Sequence, residues 1–347
     1  MIKFLTRTRH PGRIEPVDII SWIWLFFGTT MIAIPIAWAL LSSFKSESEI
    51  NSFPPTLMPQ AASTVEIEGQ SKPLSMWQWT TPEGETKEVA MVRRIGIKAT
   101  MIDPAEPNKK FQVPINEIKQ IKDVHFAWNN YSEPLEQFDF VTYIKNTTFV
   151  TLVATLLTLL LNSMSAFALS KYNFRGKNAI FVAILSTLML PLSVIMVPAF
   201  IVVVGLNLAD NLWGVILATV ATPTGVFLLR QYMLTIPDDL IEAARVDAAS
   251  EFRVYWKVVL PLCAPALAVL AIFSVIWRWN DFLWPLIVLS SPENYTLQIG
   301  LNSFQGQFSV QWHYILAMTV IALLPVTVVF ILLQKYITQG VASSGVK

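Results

Sequence analysis

Residues 242–261 read EAARVDAASEFRVYWKVVLP, a charged stretch set between two strongly apolar segments. A bilayer demands this alternation of a chain that crosses it repeatedly, since each crossing takes about 20 mostly apolar residues for roughly 30 Å of hydrocarbon. Working outward, six stretches qualify: 19–44, 147–170, 179–206, 211–229, 262–290 and 314–334. The first has no charge between Asp18 and Lys45, the fourth is short and carries Pro223 and Gly225, and the sixth contains Pro325. Prolines are tolerated in such spans because neighbouring helices and hydroxyls satisfy the freed carbonyls.

Composition agrees. Of 347 residues 54% are apolar and 14% charged, with a mean hydropathy of +0.51, which is the range of polytopic membrane proteins. A net charge of +1 gives no sign of a nucleic-acid partner. Cys263 is the sole cysteine, so neither a disulfide nor a thiolate metal cluster is expected, and His10, His125 and His313 lack ligand spacing. No GxxxxGK[ST] phosphate loop occurs, so no cofactor is expected in this chain and the energy source must lie elsewhere.

Orientation follows from Lys and Arg in the short connections. Lys3, Arg7, Arg9 and Arg13 precede the first span. Lys171, Arg175 and Lys177 follow the second, and Arg230, Arg245, Arg253 and Lys257 follow the fourth. Both termini and the loop 237–260 are therefore expected on the cytoplasmic side of the inner membrane. The first apolar run is too long for the core of a cleaved signal peptide, so it reads as a retained span.

Residues 45–140 break the membrane pattern. They are rich in charge, with Pro54, Pro55 and Pro59 near the start, strand-like runs at 65–68 and 89–102, and turn signals at Gly69, Gly84 and Pro114. The predicted fold class is thus an all-α polytopic membrane protein of six transmembrane helices, with a small β-rich extracytoplasmic insert between helices 1 and 2. The expected divisions are 1–44 (arm and first helix), 45–140 (insert) and 141–347 (core with the remaining helices and the tail). Two roles are open for the insert: a cap that touches a substrate-binding protein, or an insertion that packs on the channel mouth.

Within the loop, Pro237 stands where a missing N–H costs nothing, and Asp238 and Asp239 suit the positive end of a helix. Leu240, Ala243, Ala244 and Asp247 are three and four apart and predict one shared face, with Glu242 and Arg245 at its edge. An aromatic-rich amphipathic segment, 252–259, leads back to the next span.

The spacing Glu-Ala-Ala, three residues, a small residue, nine residues and Val-x-Leu-Pro resembles the coupling loop of binding-protein-dependent ABC importer permeases of the maltose type. YNFRGK at 172–177, Met189-Leu190-Pro191, FLLRQYMLTIP at 227–237, WNDFLWP at 279–285 and YTLQIGL at 295–301 resemble the same family; the insert is outside the pattern. The resemblance implies a non-catalytic subunit of a sugar or glycoside importer. Its partners would be a second, homologous permease, an ATPase dimer holding ATP and magnesium, and an extracytoplasmic sugar-binding protein. It implies ATPase coupling through Glu242, Ala243, Ala244, Arg245, Asp247 and Ala248, with Gln339 and Gly340 in the tail. One position departs: the family usually has Asp-Gly-Ala-Ser where this chain has Asp247-Ala248-Ala249-Ser250. Ala248 must therefore accept about 1 kcal/mol of left-handed strain or bend differently.

Inside the fifth span, Arg278 and Asp281 are three apart, which predicts either a mutually satisfied pair or a polar patch on the path. On the second reading Asn280 and Asp281 bond sugar hydroxyls while Trp279 or Trp284 stacks on an apolar sugar face. A secondary ion-coupled carrier is the competing class; it calls for an inverted repeat and mid-membrane acids, and no clear repeat is present.

Overall fold

The computed structural model describes residues 16–67, 73–81, 84–306 and 310–344. Lys3, Arg7, Arg9, Arg13 and Gly69, and the side chains of Lys335, Gln339 and Gly340, lie outside the described residues. The chain divides into two compact units, Met1–Glu133 with Gln311–Val320, and Pro134–Val310 with Ile321–Lys347.

In the first unit, helix α1 (Pro16–Ser42) runs 27 residues with Pro35 inside it. Its apolar side chains, from Ile19 to Leu40, are exposed all round the helix. The strands β1 (Gln60–Ala62), β2 (Thr64–Val65), β3 (Leu74–Thr80), β4 (Thr86–Ile95), β5 (Lys98–Asp103), β6 (Glu106–Pro114), β7 (Ile118–Gln120) and β8 (Lys122–Val124) follow. Six of them form an antiparallel sheet in the order β2-β3-β4-β5-β6, with β7 also on β3; β1 and β8 pair separately. The run 89–102 was expected as strand; it is a hairpin, because Gly96 takes φ +61° and Ile95 pairs with Lys98, as a two-residue turn with glycine first requires. Alternation then sends Ala90 and Ile102 to one face with Ile67 and Leu74, and Val89, Ala99, Met101 and Val113 to the other. Two thin apolar layers hold the sheet where disulfides are absent.

The second unit is helical. Helix α2 (Asn129–Gln137) leads to it, and α3 (Phe140–Lys171) is capped by Asp139, whose carboxylate accepts from the Thr142 amide. Then come α4 (Lys177–Ser186), α5 (Leu192–Gly205), α6 (Leu212–Leu217), α7 (Pro223–Met233), α8 (Asp238–Val246), α9 (Glu251–Val254), α10 (Ala264–Trp279), α11 (Leu283–Val288), α12 (Leu297–Asn302) and α13 (Trp312–Ser344).

Among the described residues, three helices are by themselves long and apolar enough to cross a membrane: 18–42 within α1, α3, and 312–334 within α13. Two bent helix pairs pass the same test and bring the number to five if each is one span. The stretch 177–205 turns by 108° ahead of Pro191, and 251–279 turns by 77° around Cys263. The expected fourth span is two short helices, α6 and α7, joined by irregular chain at 218–222, with Pro223 opening α7. The expected fifth span ends at Trp279, eleven residues before the predicted boundary, and the chain resumes as α11.

Candidate functional site

Two sets of residues stand out in the second unit, the loop between α7 and α10 and the polar cluster inside the helices. In the loop, α8 is amphipathic. Ile241 is buried and Ala244 and Ala249 pack with it on a core of Phe167, Leu229, Met233, Val254, Tyr255 and Val259, supplied by α3, α7 and the start of the next bent span. Ala244 therefore faces inward and does not share the outer face with Leu240, Ala243 and Asp247. Apolar burial decides this, since Ile241 drags its i+3 neighbour to the same side. Outward stand Leu240, Glu242, Ala243, Val246 (86% exposed), Phe252 and Trp256. The last two rings stack at 6.2 Å.

The loop is pinned to the helices beneath it by charge. Lys171 at the end of α3 donates to the Asp238 carboxylate at 2.7 Å and to the Ile236 carbonyl at 2.6 Å. That ammonium holds the Asp238 carboxyl below its usual range. Arg245 is used internally: it grips Glu251 through Nε at 2.8 Å and a terminal nitrogen at 3.2 Å, while the Tyr172 hydroxyl donates to the same carboxylate at 2.8 Å. Arg245 first and Tyr172 second depress the Glu251 carboxyl.

Ala248 adopts φ +57°. The Ala249 amide reaches the Ala244 carbonyl and the Ala248 amide reaches the Arg245 carbonyl, both at 3.0 Å. This is the paired closure that glycine normally makes at a helix end; alanine makes it here, so of the two alternatives the loop takes the strained one. Beyond it, Ser250 caps α9, and residues Tyr255–Val259 form one π-helical turn in which the Tyr255 hydroxyl meets Ser163 Oγ at 2.8 Å.

The second set runs along α3. Thr147, Thr151, Thr155, Thr158 and Asn162 are all buried and recur every three or four residues. Thr147 accepts from the Leu297 amide at the start of α12, Thr155 meets Ser274, Thr158 accepts from Arg278 at 2.7 Å, and Asn162 holds Thr222 through both its side chain and its amide. Thr151 Oγ1 has no partner among the described residues.

Arg278 and Asp281 do not form the expected pair, because α10 stops between them. The Asn280 side chain folds back and donates from Nδ2 to the Ile276 carbonyl at 2.8 Å, and Asp281 accepts instead from the Trp284 amide at 3.4 Å. Arg278 binds Ser274, Thr158 and the Thr219 carbonyl. Trp279 is buried with its indole N–H on the Ala322 carbonyl, and Trp284 is buried beside Val288 and Ile299. Of the four residues expected on a path, Asn280 is exposed and Asp281 half-buried, while both tryptophans present their faces to protein.

Sequence reasoning missed Lys171 and Glu251, and the α3 ladder; the ladder was visible as a helical polar period inside an apolar run.

Residues 162–343 match the model of the family described as the binding-protein-dependent transport system inner membrane component, more than half the chain. The chain is 42% identical over 196 residues to the arabinooligosaccharides transport system permease protein of Bacillus subtilis, covering 56% of this chain and 70% of that one. It is 37% identical over 183 residues to the sn-glycerol-3-phosphate transport system permease protein of Yersinia pestis, covering 52% and 65%. Its fold is shared, at 22% identity and a TM-score of 0.66, with a chain from the crystal structure of a bacterial ABC transporter involved in the import of the acidic polysaccharide alginate, covering 94% of this chain and 99% of that one. The charged loop, the bent spans and these likenesses agree: the chain belongs to the family of binding-protein-dependent transport system inner membrane components.

Proposed function

We propose that this chain is one of two homologous permease subunits that import an oligosaccharide or glycoside, driven by a separate ATPase dimer that holds ATP and magnesium. The observation that carries the reading is the loop 237–260. Its outer face displays Leu240, Glu242, Ala243 and Val246 to a partner, while its inner face is fastened to α3, α7 and α10. A load applied outside is thereby passed to three membrane helices with little slack. Arg245 braces the loop from within, Asp247 and Ala248 form its bend, and Gln339 and Gly340 extend the docking surface from the tail.

The reading places six crossings in the bilayer, with α6 and α7 together making the fourth, both termini in the cytoplasm, and a sugar-binding protein on the far side. Asn280 and Asp281 lie on the path, with Trp279 and Trp284 behind them as fixed packing. The oligosaccharide class rests on the 42% identical relative, whose name gives arabinooligosaccharides as its cargo.

Glu242→Lys reverses the charge on the exposed face without touching the buried one. It is expected to abolish uptake while the protein inserts at normal levels. Purification in mild detergent is expected to bring an ATPase and a second permease. Full uptake by the variant, or uptake by the chain alone in ATP-free liposomes, overturns the assignment in favour of an ion-coupled carrier.

A further inference from the structure

Where the first unit leaves α1, the chain builds an aromatic platform. The Phe44 ring lies 5.5 Å from Phe126, 4.9 Å from Trp128 and 5.1 Å from Tyr131. The segment that carries these rings is tied to the helix end by main-chain and side-chain bonds. The Ala127 amide donates to the Phe44 carbonyl at 2.9 Å, Asn130 donates to the Ser43 and Lys45 carbonyls at 2.8 Å each, and the Ser43 and Tyr131 hydroxyls meet at 2.6 Å. Residues 53–59 join the same base: Lys45 donates to the Thr56 carbonyl, and the Pro59 carbonyl accepts from the His125 amide. On this base Phe53 is 94% exposed and Trp128 is 67% exposed, with Leu57, Met58 and Val124 also open.

We infer that this platform is seated in the headgroup layer of the outer leaflet, so that the insert rests on lipid. The inference rests on reading α1 as a membrane span. A helix of 27 residues is about 40 Å long against about 30 Å of hydrocarbon, which puts its end at Ser42 inside the headgroup layer. Everything bonded to Ser43–Lys45 is then at that depth. The chemistry suits the position: tryptophan and tyrosine concentrate at the interface, as Trp128 and Tyr131 would here, and the Lys45 ammonium lies 4.3 Å from the Trp38 ring centroid, a cation retained beside an aromatic one turn before the helix ends. The apolar surface of the platform continues directly from α1, whose apolar side chains are exposed throughout, so lipid that covers the one meets the other.

The test is site-directed spin labelling of the full chain, in the assembly with which it purifies, in liposomes of phosphatidylethanolamine and phosphatidylglycerol. Cys263 is buried and leaves the background quiet. Four variants are labelled: Phe53→Cys and Trp128→Cys on the platform, Ile32→Cys on α1, and Ile97→Cys at the β4–β5 turn, where the side chain is 78% exposed. Collision with oxygen reports lipid, and collision with nickel ethylenediaminediacetate reports water. The expected result is an oxygen-to-nickel ratio at 53 and 128 several-fold above that at 97 and below that at 32. A water-like ratio at 53 and 128 with a lipid-like ratio at 32 overturns the inference while sparing the span. Protection of 53 and 128 from both reagents overturns it in favour of a covering protein, and a water-like ratio at 32 removes the span itself.

Discussion

Arg278 donates to the main-chain carbonyl of Thr219 at 2.6 Å, joining the end of α10 to the irregular joint between α6 and α7. The carbonyls of such a joint have lost their helical partners and require others in a membrane. Asn162 serves the opposite end of the same joint at Thr222. The break is thus held at both ends by side chains from neighbouring helices.

Arg278→Met is expected to destabilise the protein by several kcal/mol, because the buried Thr158 hydroxyl and the half-buried Thr219 carbonyl lose their partner at about 1–3 kcal/mol each. Thr158→Val removes one of the three residues that bond the charged group and should cost about 1.5–3 kcal/mol. Thermal unfolding in detergent should rank Arg278→Met below Thr158→Val, and both below the parent chain.

Ala248→Gly should relieve the left-handed strain at the loop bend. The gain of about 1–2 kcal/mol from strain is offset by about 0.4–1 kcal/mol of added freedom in the unfolded chain. A rise of up to about 1 kcal/mol is expected, along with slower hydrogen exchange at the Ala249 amide. Ala248→Val should move both readouts the other way.

Among the described residues, three glycines fill sites with no room for a methyl group. A Cβ at Gly300 would lie 2.4 Å from the Tyr143 ring, and one at Gly225 2.2 Å from Asn162 Nδ2, whereas at Gly214 it would lie 2.2 Å from the Leu208 carbonyl oxygen. Side chains can shift and a main-chain carbonyl much less, so Gly214→Ala should be the most damaging. Overpacking of this kind costs about 1–3 kcal/mol or more; expression level and melting temperature of the three alanine variants give the order.

Asp210, in the turn between α5 and α6, accepts from Ser291 through its hydroxyl and its amide and from the Ser290 amide, with Asn294 adding a longer contact. These bonds hold its carboxyl well below the usual carboxylate range. The folded pKa is depressed, so the stabilisation is complete above the unfolded value near about 4 and is lost as pH falls toward the folded one. Asp210→Asn should therefore melt below the parent chain at pH 7, and the gap should narrow steadily on acidification below about pH 4.

Much of this was readable in the sequence. The apolar runs, the helix from Asp238, the strand character of the insert and the tension at Ala248 all follow from local rules. The breaks did not. Pro198 and Pro325 stay inside helices, whereas the chain bends by 108° ahead of Pro191; which outcome holds depends on what neighbouring helices offer the freed carbonyls. The pairing of Arg278 with Asp281 assumed that the helix runs past both. It ends at Trp279, and the partners of Arg278 on α3 and at the joint lie 120 and 59 residues away in sequence, beyond any local pattern.

The ladder on α3 also constrains how the protein is made. Thr147, Thr155, Thr158 and Asn162 find their partners on residues 222 to 297, all translated later. At about 5–20 residues per second, the newly inserted helix must wait several seconds or more with a row of hydroxyls and an amide turned toward hydrocarbon. The ladder is complete only when α12 has left the ribosome, and a chain cut short before Leu297 leaves Thr147 without the amide it accepts from.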